Sequence, residues 1–512
     1  MEGDWKLLDF EGIRRLLEKL SATPMGADAA RNLGPAPTLA SARQLQEAIT
    51  AARFGLESGA GPVLPELPDP RPALRQAAAP GAALSGQALR NLHRILRVGQ
   101  ELRPYVESRP ALLPLGAEVL DAPAVLIDAI DAVLLPNGSV REDGNSALRA
   151  LHAELKQERE AAQRQIQPHL RGGGKAHWAG QRLSVHLPDG SREEIRGVRR
   201  GSGPGGHGTV VEPMELVAAN NRLEKISGNI EQENQSLLRS LTDQVRELLP
   251  ALQKLVDALT WLDLAIAGAQ LSLHLRAQAA ELVEDPILIL EGAVHPQLWL
   301  AHVDHRGPAP KPLSVRIDAA NPILVVTGPN TGGKSVSLKT VGLLALMAQC
   351  GLHVPVSGRA VVGRFAKIFV DMGDPQSMAF ALSTFSGHVA MLKKLLAEAD
   401  DRTLILLDEL GTGTDPEEGA AMAMAVLDEL AGRGVRGMVT THLTPIKIFA
   451  AEHPALQNAS MRFDHERLEP TYELEIGVPG KSLGLLIAEK SGLPESLVRA
   501  ARAHLQRLHQ GA

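Results

Sequence analysis

The octapeptide Gly328–Ser335 constrains the fold of this 512-residue chain more than any other stretch. It fits the pattern G-x-x-x-x-G-K-[ST], and the apolar, β-branched run Ile323–Thr327 directly precedes it. Apolar residues at helical spacing from Leu338 to Met347 predict a helix after it. A buried strand, a glycine-rich loop and a helix in this order are typical of a phosphate-binding loop. The loop N–H groups and the helix N-terminus both attract phosphate oxygens.

The same pattern predicts the cofactors. In such a loop Lys334 would reach the β- and γ-phosphates of a nucleotide, and the Ser335 hydroxyl would hold Mg²⁺. ATP and Mg²⁺ are therefore the predicted cofactors. The residues predicted to bind nucleotide are Gly328, Pro329, Asn330, Thr331, Gly332, Gly333, Lys334, Ser335 and Val336.

A second apolar run, Thr403–Leu407, ends at two adjacent carboxylates, Asp408 and Glu409. A carboxylate at the end of a buried strand positions the metal in phosphate-loop enzymes, so Asp408 is predicted to do so here. Glu409 is predicted to polarise the attacking water as a general base. Such a pair alone could also cap a helix, but its place downstream of the phosphate loop favours a nucleotide site.

A third predicted strand, Val435–Thr441, leads to His442. A histidine at such a strand end can sense the γ-phosphate, although a lone histidine is more often structural. With Lys334 and Glu409, His442 is predicted to be catalytic.

The chain before residue 281 has other patterns. Residues 1–145 alternate short helical patterns with proline-rich breaks and predict a helical region. A helix over 146–168, a β-patterned segment over 169–213 and returning helices over 214–280 follow. This order is consistent with an arm that carries a small β-rich tip, and equally with an ordinary helical hairpin with an exposed loop.

Two details of these segments can be tested. Arg182–Leu187 and Glu194–Val198 are the predicted strands of the β-patterned segment. In the returning helix, leucine or isoleucine recurs every seven residues and indicates a coiled seam, at Leu216, Leu223, Ile230 and Leu237.

Charge is distributed unevenly along the chain. The net charge of −6 argues against a uniformly basic nucleic-acid-binding protein, but eight basic and three acidic residues between Arg164 and His207 give +5 there. This patch predicts contact with a phosphate backbone, and an ordinary solvated face is the alternative. The predicted contact residues are Arg171, Lys175, Arg182, Arg196, Arg199 and Arg200. Aromatic residues make up only 3% of the chain, so base stacking is not expected.

Other features point to the cytoplasm. The chain has one cysteine, Cys350, so it can form neither an internal disulfide nor a cysteine-based zinc site. The acidic N-terminus does not resemble a signal peptide, and no run of about 18 apolar residues predicts a membrane span. We expect a cytoplasmic protein with no membrane partner.

Four motifs resemble, in order, the ATPase motifs of the MutS family: Gly328–Ser335, Ser383–Phe385, Asp408–Gly411 and Thr440–His442. The segments Leu8–Phe10, Val211–Pro213 and Ser383–His388 are similar to the second bacterial paralogue, MutS-two. The resemblance implies a mixed fold. An all-α lever with long coiled arms and a small β-rich clamp would be followed by an α/β ABC-type P-loop ATPase domain over 281–512, ending in a helical dimerisation region.

The resemblance also implies a homodimer with composite ATPase sites. Ser383 would approach the γ-phosphate bound by the other subunit and so join the catalytic residues. Asn330 and His442 would contact the nucleotide of their own chain. From its residues alone, Ser383-Thr384-Phe385 is more typical of a helix cap than of a catalytic motif.

Two departures from the family narrow the expected function. No Phe-x-Glu occurs in the first 150 residues, so the mismatch-reading wedge of MutS repair proteins is not expected. The chain stops at Ala512, where the second paralogue usually continues into an Smr nuclease, so endonuclease activity is not expected of this chain, which is either naturally short or truncated.

The nucleic-acid target stays open between two alternatives. One is branched DNA, clamped to suppress homologous recombination. The other is ribosomal RNA on stalled, collided ribosomes that the ATPase would separate. A metabolic kinase is a weaker third alternative, because it leaves the long arm and Ser383 unexplained.

Overall fold

The computed structural model describes residues 5–61, 63–171, 173–191, 194–328, 333–372, 381–464, 469–478, 480, 485, 488–489 and 492–510. The protein is mixed α/β, and its internal contacts divide it into two compact units. The first unit comprises Met1–Pro65, Ser108–Pro114 and Thr260–Ala512. The second comprises Glu66–Glu107 and Leu115–Leu259.

The described part of the chain contains fifteen α-helices. In chain order they are α1 (Phe10–Leu20), α2 (Pro24–Arg31), α3 (Leu39–Glu57), α4 (Arg71–Ala78), α5 (Gly86–Glu107), α6 (Ala124–Val133), α7 (Ser146–Ile166), α8 (Met214–Glu247), α9 (Leu249–His274), α10 (Pro296–Val303), α11 (Lys334–Gln349), α12 (Ala381–Glu398), α13 (Pro416–Gly432), α14 (Thr444–Glu452) and α15 (Glu495–Gln510).

Fourteen strands lie in the same described ranges. They are β1 (Lys175–Ala179), β2 (Arg182–Leu187), β3 (Gly197–Ser202), β4 (Thr209–Pro213), β5 (Glu281–Val283), β6 (Leu288–Ala293), β7 (Leu313–Ile317), β8 (Ile323–Thr327), β9 (Ala360–Gly363), β10 (Lys367–Asp371), β11 (Thr403–Leu407), β12 (Arg436–Thr440), β13 (Leu456–Asp464) and β14 (Glu469–Ile476).

The largest sheet lies in the first unit and has the strand order β10-β11-β12-β8-β13-β14. Its first five strands are parallel, and β14 runs antiparallel to β13. The strands β8 and β11 are buried along their whole length, which is why they appear in the sequence as continuous apolar runs. Leu395 of α12, Leu427 of α13 and Ile446 of α14 pack into a common core with these strands.

The N-terminal segment packs on the same unit. A Cβ atom at Gly342 of α11 would lie 2.4 Å from the Leu406 side chain and 2.6 Å from the Leu8 side chain. The missing side chain at Gly342 therefore lets Leu8 reach the core of the large sheet, and Lys339 Nζ lies 3.2 Å from the Asp9 carboxylate. The contacts thus divide residues 1–145 between the two units, whereas the sequence pattern had indicated one helical region.

The second unit contains a four-stranded antiparallel sheet, which we call the insert sheet (β1–β4, order β1-β2-β4-β3). The predicted strand Arg182–Leu187 is present as β2. The prediction of a strand at Glu194–Val198 is wrong in its position, because the strand is Gly197–Ser202. Pairing with β4 extends it through Gly201, whose φ of +133° suits a glycine at the bulge in this pair.

The long helices α7 and α8 flank the insert sheet in sequence. The Asn145 side chain caps α7 by accepting the Leu148 N–H at 2.8 Å. Leu216 and Leu223 of α8 are buried with the insert sheet, and Ile230 is buried against Leu148, so the predicted seam faces the core. With 34 residues α8 is about 50 Å long, and the helical path restarts at Leu249, next to Pro250.

One described helix, Leu249–His274, is long and apolar enough to cross a membrane by length and composition alone. Most of its apolar window, 78%, is buried inside the protein. Such burial is typical of a core helix.

Candidate active site

Four parallel strands of the large sheet end at one edge. Register pairs Asp371 with Leu407, Leu407 with Val439, and Val439 with Val325. The residues that end or follow β10, β11, β12 and β8 therefore share the carboxyl edge of the sheet, where ligands of open α/β sheets bind. They are Asp371, Asp408, Thr440 and Gly328.

The phosphate-loop sequence connects β8 to α11. Gly328 has φ +140° and Gly333, which precedes the first helical residue, has φ +85°. Both values lie in the region that favours glycine, so the glycines are required for the chain to turn from strand to helix. The predicted nucleotide contacts of Pro329, Asn330, Thr331 and Gly332 lie outside the described residues and stay predictions.

Lys334 begins α11 and its side chain is directed back toward the loop. The residue is only 3% exposed, and its ammonium donates a hydrogen bond to the Gly328 carbonyl oxygen. Burial holds the pKa of Lys334 below its ordinary value, while the carboxylates of Asp408 and Glu409 act in the opposite direction. The fold thus brings the lysine of one motif into the field of the two carboxylates of another.

Asp408 is held by hydrogen bonds from two neighbouring strands. It is 8% exposed, and its backbone N–H donates to the Asp371 carbonyl oxygen at 2.7 Å. Thr440 Oγ1 donates to the Asp408 carboxylate and accepts the Glu409 N–H at 2.9 Å. One buried hydroxyl therefore fixes the side chain of Asp408 and the backbone of Glu409.

Glu409 lies in a strained backbone conformation. Its φ of +52° places a residue other than glycine in the left-handed region, which costs roughly 1–3 kcal/mol. The next N–H, that of Leu410, donates to the Thr440 carbonyl oxygen at 2.9 Å and helps to hold this conformation. The turn places the Glu409 side chain on the exposed side of the edge.

The structure also describes, wholly or in part, four other residues of the predicted site. The side chains of Ser335, Val336 and His442 are exposed, His442 two residues after β12 and the other two in the first turn of α11. The backbone of Ser383 lies in the first turn of α12, and its side chain lies outside the described atoms.

Three groups at this edge were not predicted from the sequence: Asp371, His388 and Lys447. His388 Nδ1 of α12 lies 2.6 Å from the carboxylate of Asp371. Lys447 Nζ of α14 donates to the Gly480 carbonyl oxygen at 3.1 Å, and burial lowers its pKa. Asp371 had the same signal as Asp408, an apolar strand that ends in a carboxylate. Nothing in the spacing pointed to His388 or Lys447.

A cavity of about 450 Å³ opens beside the start of α11. Its wall includes Gly333, Val336 and Thr340 of the loop and helix, together with Leu298 and His295. Burial lowers the pKa of His295 to about 4, so its imidazole is neutral at pH 7. The volume and the largely apolar wall suit a small organic ring.

The basic residues of the insert sheet fall into two groups. Glu212 is fully buried and pairs with Arg182 at 2.9 Å and with Arg200. Burial alone would raise the pKa of Glu212, but hydrogen bonds from Asn220 and Arg200 outweigh it and keep the pKa below its ordinary value. Arg182 also binds Glu224 at 2.6 Å. Two of the six predicted contact residues, Arg182 and Arg200, are therefore paired with acidic residues of the protein itself.

The other four predicted contact residues are exposed, and they form no ion pair with any other residue that the structure describes. They are Arg171, Lys175, Arg196 and Arg199. Lys175 lies on β1 and Arg199 on β3, the two outer strands of the insert sheet. They leave positive charge on both edges of the sheet.

Comparison with known proteins identifies the family of this chain. Residues 324–509 match the model of MutS domain V, a span that contains the loop, both carboxylates and His442. The chain is similar to proteins named Endonuclease MutS2 along 97–98% of its length. Identity is 31% for the relative from Lactobacillus helveticus and 35% for those from Thermomicrobium roseum and Thermus thermophilus. The chain belongs to the MutS family.

The chain spans 64–65% of the length of these MutS relatives. The match to MutS domain V covers the large sheet from the second residue of β8 onward. The similarity to whole relatives extends through the second unit, so the insert sheet belongs to the shared region.

Proposed function

We propose that this chain is a Mg²⁺-dependent ATPase of the MutS type that works as a homodimer and clamps nucleic acid, with branched DNA as its target. Such clamping would suppress homologous recombination. The observation that carries the proposal is the meeting of Lys334, Asp408 and Glu409 at one edge of the large sheet. A buried ammonium and two carboxylates beside a helix N-terminus suit a metal-bound polyphosphate.

Each residue has a distinct role in the proposed reaction. Lys334 binds the β- and γ-phosphates, and Glu409 orients and deprotonates the attacking water. Asp408 and the Ser335 hydroxyl are oxygen donors of the kind that Mg²⁺ prefers, and they would hold it. The bound metal supplies charge neutralisation at the phosphates. His442 contacts the γ-phosphate from the next strand.

The cavity beside α11 is proposed to hold the nucleoside. Its 450 Å³ lies within the range of small-molecule sites, and Gly333 and Val336 connect it to the phosphate loop. The neutral His295 adds no charge to this largely apolar wall, which suits an aromatic base, and Lys311 adds one positive charge.

The clamp is proposed to be the insert sheet. Four exposed charges are available to phosphates: Arg171, Lys175, Arg196 and Arg199. Arg182 and Arg200 pair with Glu212 instead. Few aromatic residues accompany these charges, so contact through the backbone and shape of the nucleic acid is favoured over base reading. We place the protein in the cytoplasm, consistent with its buried free thiol at Cys350.

ATP binding and hydrolysis test the first part of the proposal. Lys334→Ala should abolish binding of a fluorescent ATP analogue or weaken it at least tenfold, because it removes the buried ammonium that would bind the phosphates. Lys339→Ala is the matched control: it lies on the same helix but pairs with Asp9, away from the sheet edge. Normal ATP affinity of the Lys334 variant would overturn the phosphate-loop assignment.

The preference for branched DNA over ribosomes tests the second part of the proposal, the nucleic-acid target of the clamp. We expect ATP-dependent retention of four-way junction DNA in gel shifts, tighter than retention of linear duplex of the same length. Co-sedimentation with ribosomes under the same ATP and salt conditions is the competing assay. Retention on ribosomes without preference for branched DNA would assign the clamp to ribosomal RNA instead.

A further inference from the structure

Three contacts connect helix α12 to strand β10. His388 Nδ1 lies 2.6 Å from Asp371 Oδ2 at the carboxyl end of the strand. The Lys394 ammonium lies 5.9 Å from the centre of the Phe369 ring in the middle. At the far end, Lys367 Nζ donates to the Glu398 carbonyl oxygen. The helix therefore runs antiparallel to the strand, and His388 is the contact nearest the candidate active site.

Asp371 accepts two hydrogen bonds at the carboxyl end of β10. Its carbonyl oxygen accepts the Asp408 N–H, and its carboxylate accepts the hydrogen bond from His388. The side chains of His388 and Asp371 are 27% and 20% exposed, so the pair is only partly screened by water. Its hydrogen bond holds the pKa of His388 above the ordinary value, and the Glu409 carboxylate acts in the same direction. The contact is a charge-assisted bond between the helix and the metal-binding edge.

The first turn of α12 contains Ser383, five residues before His388. At 1.5 Å per residue, the two backbones are about 7.5 Å apart along the helix axis. The structure describes the side chains of α12 from residue 387 onward, and His388 is the first of these to hydrogen-bond to the sheet edge. Of the three contacts with β10, this bond lies closest to the start of the helix.

We propose that His388 is a positioning residue that anchors α12 to Asp371 and so presents Ser383 to the nucleotide held by the second copy of the chain. The inference rests on the proposed ATPase dimer. Because Ser383 would act on the other subunit, loss of His388 damages the site formed with the other chain's loop and leaves ATP binding to its own loop intact.

Subunit mixing tests this directly. Alone, His388→Ala should lower kcat roughly 10–100-fold through misplacement of the helix start, with ATP affinity within about twofold of the parent. His388→Asn, whose amide can donate from the position of Nδ1, should restore most of the rate. Lys334→Ala alone should be inactive. An equal mixture of Lys334→Ala and His388→Ala should regain about a quarter of the parental activity, because half of the dimers contain one intact composite site.

The outcomes distinguish a failure of this inference from a failure of the proposed ATPase dimer on which it rests. If the parent forms no ATP-dependent dimer or hydrolyses no ATP, the proposed function fails. A mixture of Lys334→Ala with Ser383→Ala is the positive control for composite sites. If that control regains activity and the His388→Ala mixture does not, His388 acts within its own chain and the inference is overturned. Should His388→Ala not fold by circular dichroism, Asp371→Asn takes its place, and absence of recovery in that mixture overturns the inference equally.

Discussion

The hydroxyl of Thr440 donates a hydrogen bond to the carboxylate of Asp408. The same hydroxyl accepts the Glu409 N–H, so one oxygen on β12 arranges both acidic residues that follow β11. Thr440→Val keeps the shape of the side chain and removes both bonds. We expect a roughly 10–100-fold loss of kcat, as for other groups that orient a metal-binding side chain. ATPase assays at saturating Mg²⁺ and ATP measure it.

Thr440→Ser is the control for this prediction. It keeps the hydroxyl and should retain most of the activity. The loss of a buried hydrogen bond to a charged group should also cost the valine variant about 1.5–3 kcal/mol of stability, measured by chemical denaturation. Parental kcat in the valine variant would show that Thr440 does not position the acidic residues.

The central strands of the large sheet could be predicted from the sequence. The run Ile323–Thr327 and the run Thr403–Leu407 are observed as β8 and β11 with these bounds. Both strands are buried on two faces, so every residue except the terminal Thr327 and Thr403 is apolar and the signal does not depend on alternation. The pattern also predicted a helix after the phosphate loop, and this helix is observed as α11, which begins at Lys334.

Contacts between distant residues could not be predicted in this way. Asp371 and His388 are separated by 17 residues, and Glu212 and Arg182 by 30, so neither pairing follows from local spacing. The strand Lys175–Ala179 does not follow from the sequence pattern because it is short and contains no β-branched residue, and pairing with β2 stabilises it. Tertiary context decides such strands more than intrinsic propensity does.

Glu409→Gln separates ATP binding from hydrolysis. The amide cannot accept a proton from water, so hydrolysis should fall at least about 100-fold while ATP affinity stays near that of the parent. ATP should then accumulate a closed dimer, visible by size-exclusion chromatography with light scattering. Glu417→Gln, an exposed acid in the first turn of α13, is the matched control and should behave as the parent. Hydrolysis by Glu409→Gln at the parental rate would contradict its assignment as general base.

The double variant Arg196→Ala/Arg199→Ala tests the exposed charges of the insert sheet. Each phosphate contact contributes about 0.9 to the slope of log K against log salt, so the slope should become shallower by about 2. Affinity should fall for all DNA sequences alike. Arg222→Ala, which removes an exposed arginine of α8 that pairs with Glu158, should leave the slope unchanged. An unchanged slope in the double variant would place the clamp elsewhere.

Acid should weaken the first unit through His353. Its Nδ1 lies 2.8 Å from Ser272 Oγ and its Nε2 lies 3.0 Å from Thr50 Oγ1, in a buried network. Burial lowers its pKa from 6.5 to about 4. Below pH 6.5 the unfolded chain binds a proton at this imidazole and the folded chain does not, so stability falls as the pH drops from about 6.5 toward 4. The contribution of His353 is roughly 2–3 kcal/mol between pH 7 and pH 4.5. Denaturation curves of the parent and His353→Gln measure it: the variant should be less stable at pH 7 and lose less on acidification. Equal losses in both proteins would show that His353 is not the group that titrates.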